Sequence, residues 1–134
     1  MRLTSRYRFS ASHRLDTAAM SPEENRRLYG KCNNPHGHGH DYVLEITVDG
    51  PVGQDGQVVN REALDAVVRE RVRAQLDHKN LNADIPQLAG SVTTTENLAT
   101  MVRGALTDGW TLPARLARVK ISETARNSFE LEVG

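Results

Sequence analysis

Residues 2–13, RLTSRYRFSASH, alternate along almost their whole length. Leu3, Tyr7, Phe9 and Ala11 fall on one side; Arg2, Thr4, Arg6, Arg8 and Ser10 fall on the other. A period of two belongs to an extended strand with one buried face. Residues 40–49, HDYVLEITVD, repeat the pattern with Tyr42, Leu44, Ile46 and Val48 on one face. The histidines follow the same phase. His13 continues the apolar face of the first strand, and His38 and His40 continue that of the second. If the two strands pair antiparallel, the end of the first lies beside the start of the second. Three imidazoles then meet at one end of one sheet face.

The rest of the chain supplies what covers that face. SPEEN reads as a helical turn with Pro22 at its start. Asn60 caps a helix predicted over 61–76, with Leu64, Val67, Val68, Val72 and Leu76 at helical spacing. Residues 77–92 read as a loop. A second helix starts near Thr93 or Thr94 and runs to about Thr107, with Leu98, Met101, Val102, Ala105 and Leu106 as its stripe. Residues 116–123 and 127–133 alternate again as two strands joined at TARN. The predicted architecture is α+β: a four-stranded antiparallel sheet with two helices on one face, in the order ββααββ. No repeat or linker divides it, so residues 1–134 are expected to form one domain. Open sheet edges and one bare face predict assembly with further copies.

Composition narrows the function classes. Lys+Arg and Asp+Glu both number 17, so the net charge is zero, which argues against a nucleic-acid protein driven by bulk charge. The charged, alternating N-terminal stretch contains no apolar run and reads as neither a signal peptide nor a membrane span. A lone cysteine cannot form an internal disulfide, which suits a reducing compartment and a cytoplasmic location.

That cysteine lies in CNNPHGHGHDY, residues 32–42, with three of the five histidines. His13, His38 and His40 together suit zinc: three neutral imidazoles leave one tetrahedral position open, the catalytic rather than the structural pattern. His36, which alternates with His38, is a rival third ligand. Cys32 is either an inert thiol or a reactive one; its polar, glycine-rich surroundings favour the second, with Lys31 and a nearby metal favouring the thiolate. Asp77 and His78 directly follow the first long helix. They form either a base relay for a cysteine or a helix terminus with a dipole-complementing histidine. Thr93 with Glu96 matches a capping box. Glu123 shares the phase of Val119 and Ile121, and an acid on an apolar face costs energy unless it is paired or binds something. A carboxylate there can accept two hydrogen bonds from an amidine-like edge.

Taken in order, FSASHRL (9–15), LYGKCNNPHGHGHDY (28–42), LDHKNLN (76–82), TTTENLA (93–99) and VKISET (119–124) resemble the 6-pyruvoyl-tetrahydropterin synthase family over nearly the whole chain. The resemblance implies a tunnelling fold, with trimers closing a β-barrel and two trimers stacking into a hexamer. It implies zinc on His13, His38 and His40, with Cys32 as catalytic base and Asp77 and His78 as its relay at a subunit interface. It also implies that Glu123 anchors the pterin and that Thr94, Thr95 and Glu96 line its pocket. The implied reaction is loss of triphosphate from 7,8-dihydroneopterin triphosphate, with internal redox, to give 6-pyruvoyl-tetrahydropterin. Arg6, Arg8, Arg14, Lys31 and Lys79 are candidates for holding the triphosphate. A related branch, 6-carboxytetrahydropterin synthase of the queuosine pathway, uses the same substrate and releases acetaldehyde; the long CNNPHGHGH and TTTEN lean toward the pyruvoyl branch, as does tolerance of Asn60. Relatives that cleave the side chain for folate carry glutamate in place of the thiol, and Cys32 speaks against that variant. A non-catalytic zinc- or pterin-binding protein is the alternative from a different class.

Overall fold

A computed structural model describes residues 1–134. The two alternating segments form long strands, β1 (Arg2–His13) and β2 (His38–Asp49), paired antiparallel with Phe9 opposite Tyr42, Ala11 opposite His40 and His13 opposite His38. β2 begins at His38, two residues before its clearest alternation. Between them lies helix α1 (Pro22–Tyr29), which starts on a capping box of Ser21 and Glu24 and ends at Gly30. A 3-10 turn, Gly30–Asn33, follows.

Helix α2 (Arg61–Val68) is capped by the Asn60 side chain, which accepts from Ala63 N. It continues through a π-helical segment, Arg69–Arg73, into α3 (Ala74–Leu76), so the helical stretch spans the residues expected from the pattern. Helix α4 (Thr95–Thr107) precedes β4 (Arg115–Thr124) and β5 (Asn127–Glu132). Its cap is Thr94, whose hydroxyl accepts from Asn97 N, rather than the Thr93–Glu96 box expected. Thr93 is buried, and its carbonyl is used elsewhere.

The sheet has five strands, not four: with Lys79–Asn80 as β3, the order is β3-β1-β2-β4-β5. The addition is β3 (Lys79–Asn80), which lies parallel to β1 beside Ala11 and Ser12 and makes the sheet mixed rather than antiparallel. Its cause is local. After α3 the backbone turns through His78, at φ 60°, and the amides of His78 and Leu81 donate to the carbonyls of Ser10 and Ser12. These bonds satisfy part of the outer edge of β1.

The helices cover one sheet face. Leu64, Val68, Val72 and Leu76 meet Leu98, Val102 and Leu106 above Leu44, Ile46, Val119 and Ile121 in one core, all fully buried. At about 25 cal/mol per Å² of apolar surface, this layer is the main force that flattens the helices onto the sheet. No helix is long and apolar enough to cross a membrane.

Candidate metal and active site

At the end of the helix-covered face the core turns polar. His13 is fully buried, and its Nδ1 lies 2.8 Å from the Thr93 carbonyl oxygen. A carbonyl only accepts, so Nδ1 is the donor, and in the neutral ring Nε2 carries the lone pair. That Nε2 is buried without a partner. It points at a group in which one ligand atom each from His13, Cys32, His40 and Glu123 lie within 4.8 Å of one another. A buried, lone-pair-bearing imidazole nitrogen with no hydrogen-bond partner, beside a second imidazole, fits a divalent metal.

The loop bearing Cys32 is pinned to the chain just past His13. The Leu15 amide donates to the Cys32 carbonyl, at 2.6 Å, and the Asn33 side chain donates to the Leu15 carbonyl and to Asp16. Gly37, at φ 81°, lets the loop re-enter β2; a Cβ there would stand 3.2 Å from the His13 carbonyl oxygen. Any side chain at that position meets both a backbone penalty and a close contact.

Glu123 sits one step past the Val43–Ser122 pair of the β2–β4 ladder, on the face of Ile121. Its Oε1 lies 2.8 Å from His40 Nε2, 3.8 Å from His13 Nε2 and 3.9 Å from Cys32 Sγ. Its Oε2 accepts from the Thr95 hydroxyl at 2.7 Å and from Asn127 Nδ2 at 3.3 Å. The carboxylate is thus satisfied although only 9% exposed. The acid that looked out of place on an apolar strand is the hub of the cluster.

The electrostatics follow from burial and from Glu123. Burial lowers the pKa of His40, the Glu123 charge opposes that fall, and His13 and His38 add to it; the net direction is down, toward the neutral ligand form. Burial, then the charge and hydrogen bond of Glu123, push the Cys32 thiol up. The sequence had suggested that Lys31 would favour the thiolate. Instead Lys31 lines a different hollow beside Arg26, while Cys32 faces Glu123 and lies 3.6 Å from His40 Nε2. Burial also pushes the Tyr42 hydroxyl far up, with the Glu123 and Cys32 charges next.

The structure therefore joins His13, His40, Cys32, Glu123 and Thr95. His38 stands beside them, its ring 4.7 Å from that of His40, but outside the converging group. His36 is exposed and only its backbone is engaged, donating to Asn34. Thr94 caps α4, and Glu96 is exposed in its first turn. Asp77 and His78 form their own pair, with His78 Nε2 3.7 Å from Asp77 Oδ2 and Asp77 Oδ1 accepting from the Ser10 amide. His78 is 83% exposed and faces a hollow with Ser10, Gly39, His40, Asp41 and Asp84; His40 borders it, but Cys32 does not. Sequence reasoning missed Asn127, the Tyr42 hydroxyl and the Thr93 carbonyl, because no local pattern marks a partner brought in by folding.

Fold and site together define a metal-ready α+β protein with a thiol and a carboxylate around two imidazoles. A sequence profile described as 6-pyruvoyl tetrahydropterin synthase matches residues 2–133, and the chain belongs to that family. Relatives named 6-pyruvoyl tetrahydrobiopterin synthase include one from Dictyostelium discoideum, 47% identical over 126 residues (93% of this chain, 90% of that protein). Another, from Homo sapiens, is 45% identical over 124 residues (91% and 84%). The solved structure of the Caenorhabditis elegans 6-pyruvoyl tetrahydropterin synthase superposes with a TM-score of 0.91 at 33% identity, covering 100% of this chain and 96% of that one. A Wolinella succinogenes structure shares the fold at 16% identity, with a TM-score of 0.73 and coverage of 98% and 97%.

Proposed function

We propose that this chain is a lyase of tetrahydrobiopterin synthesis that converts 7,8-dihydroneopterin triphosphate to 6-pyruvoyl-tetrahydropterin and triphosphate. The observation that carries the reading is the convergence of Cys32 and Glu123 on His13 and His40, with His13 oriented by the Thr93 carbonyl and Glu123 by the Thr95 hydroxyl. His13, His38 and His40 hold zinc. That set leaves a coordination position open, whereas closing the site with Cys32 and Glu123 would leave none for substrate. A zinc ion there supplies Lewis acidity to the substrate's side-chain hydroxyls and the bonds beside them.

The chain's own residues do the rest. Glu123 accepts two hydrogen bonds from the guanidine-like edge of the pterin, with Thr95 and Asn127 fixing one of its oxygens. Thr94 and Glu96 border the same pocket. Pairing the Glu123 charge with that edge removes part of what holds the Cys32 thiol protonated. Substrate binding thus primes the thiolate that moves protons on the side chain. Since His78 faces another hollow, the Asp77–His78 relay serves the Cys32 of a neighbouring copy. This suits a tunnelling fold whose trimers stack into a hexamer of single-domain subunits, in the cytoplasm. Internal redox needs no further cofactor.

The test is product analysis by mass spectrometry with zinc-loaded protein, wild type beside Cys32→Ala. A 6-pyruvoyl product that requires Cys32 is expected. A 6-carboxy product with acetaldehyde keeps the site and changes the pathway, and no turnover by zinc-bound wild type sinks the enzyme reading for this substrate.

A further inference from the structure

One hollow beside the cluster differs in charge from its neighbours. It has a volume of about 450 Å³ and is lined by Arg26, Lys31, Asn33, Asn34 and His38, together with Gly30 and Pro35. No carboxylate borders it. Three other hollows that hold cations hold acids too: Asp41 and Asp84 beside Lys79, Glu45 and Glu123 beside Arg6 and Lys120, and Asp16 beside Arg14 and the other side of Arg26. Neither Arg26 nor Lys31 forms an ion pair. Two cations held in one acid-free hollow repel each other and attract an anion.

The hollow is built rather than incidental. Arg26 stands in the last turn of α1, and its carbonyl accepts from the Gly30 amide that ends the helix. Asn33, 5% exposed, fixes the floor through its bonds to Leu15 and Asp16. Asn34 Oδ1 accepts from the His36 amide, which leaves its NH₂ group to donate. Guanidinium, ammonium and amide are all donors, and phosphate oxygens are acceptors. The hollow also joins the site: His38 lines it, and the His38 ring lies 4.7 Å from that of His40, whose Nε2 is 2.8 Å from Glu123. The sequence of contacts, Glu123, His40, His38, then Lys31 and Arg26, follows the order of pterin ring, side chain and phosphates in the substrate proposed above.

We infer that this hollow binds the triphosphate tail of the substrate through Arg26 and Lys31, an assignment that rests on the proposed function. It selects Lys31 from the cations noted in the sequence and adds Arg26, which no motif marked. Arg6, Arg14 and Lys79 border only hollows that hold acids and are set aside, whereas Arg26 borders the acid-free hollow as well as that of Asp16.

Calorimetry and kinetics on the full-length, zinc-loaded protein test it, with Arg26→Gln, Lys31→Gln and the charge-preserving Arg26→Lys. Inorganic triphosphate should bind the wild type and bind about tenfold more weakly to each Gln variant, the size of one charged hydrogen bond. KM for 7,8-dihydroneopterin triphosphate should rise by a similar factor with kcat unchanged, and Arg26→Lys should recover part of the loss. Binding of phosphate-free 7,8-dihydroneopterin should not change. Equal weakening of both pterins would show a structural effect and overturn the assignment. Unchanged triphosphate affinity in the Gln variants would overturn it directly, and weaker triphosphate binding with unchanged KM would make the hollow a site for free polyphosphate only. Wild type that binds triphosphate here but turns over no substrate would keep the anion site and remove the proposed function, so the two failures are distinct.

Discussion

Thr95→Val isolates what holds the Glu123 carboxylate. Thr95 is 2% exposed and donates at 2.7 Å to Glu123 Oε2. Valine has nearly the same shape, so no cavity forms, and the helix propensities of the two residues are close. The loss is therefore one hydrogen bond to a poorly solvated charge, about 1.5–3 kcal/mol. Asn127 remains on the same oxygen at 3.3 Å, which places the expectation near the lower end, about 1.5 kcal/mol. With Glu123→Gln the acceptor is neutral and the same Thr95 bond is worth about 0.5–1 kcal/mol. A double-mutant cycle should then give a coupling of about 0.5–1 kcal/mol.

The assay is urea unfolding of metal-free protein at fixed protein concentration, since assembly would otherwise enter the stability. Midpoints should shift with the slope unchanged. The same weakening, carried into pterin binding, should raise KM by up to about tenfold while kcat stays near wild type. Additivity within about 0.3 kcal/mol would refute the claim that Thr95 acts through Glu123. So would a fall in kcat at constant KM.

Cys32→Ala should retain zinc by elemental analysis and lose at least about 100-fold in turnover; loss of the metal instead would make Cys32 a ligand. His13→Ala should lose zinc and also cost about 2–4 kcal/mol of stability, because it empties a buried site and orphans the Thr93 carbonyl. His38→Ala, at a less buried position, should lose zinc with less than about 1 kcal/mol of damage; wild-type zinc affinity there would point to His13, Cys32, His40 and Glu123 as the ligands. Mixed oligomers of Cys32→Ala and His78→Ala should regain activity in about a quarter of sites, because thiol and relay come from different copies; no recovery would count against that sharing. Tyr7 donates to Asp65 at 2.7 Å, and burial first, with Asp65 next among the raising causes, lifts its pKa from 10.0 to about 12. Its contribution is full below pH 10.0 and lost as pH rises through about 12, so Tyr7→Phe should flatten the stability profile between those values; an unchanged alkaline slope would assign it to other groups.

Periodicity made the metal end of the sheet readable. A period of two fixes which face a residue takes, and it placed His13, His38, His40 and Glu123 on the covered face before any contact was known. It could not choose among rings on that face. His13 and His40 converge, while His38 turns beside them, because rotamers depend on neighbours such as the Thr93 carbonyl, eighty residues away in sequence. The cap of α4 shows the same limit: three successive threonines offer the same chemistry, and Thr94 takes the role because Thr93 is already buried against His13. β3 was invisible, since two residues carry no period; its strand character comes from amides finding the edge of β1. The Cys32 environment was misread for a related reason. Adjacent residues in a 3-10 turn point about 120° apart, so the nearest cation in sequence, Lys31, faces another hollow, and the nearest charge in space is the acid Glu123, ninety-one residues on. Burial and that acid push the thiol's pKa up. The reactivity of Cys32 is therefore conditional on what occupies the pocket, and a thiol-alkylation rate that rises when pterin binds is the consequence peculiar to this arrangement.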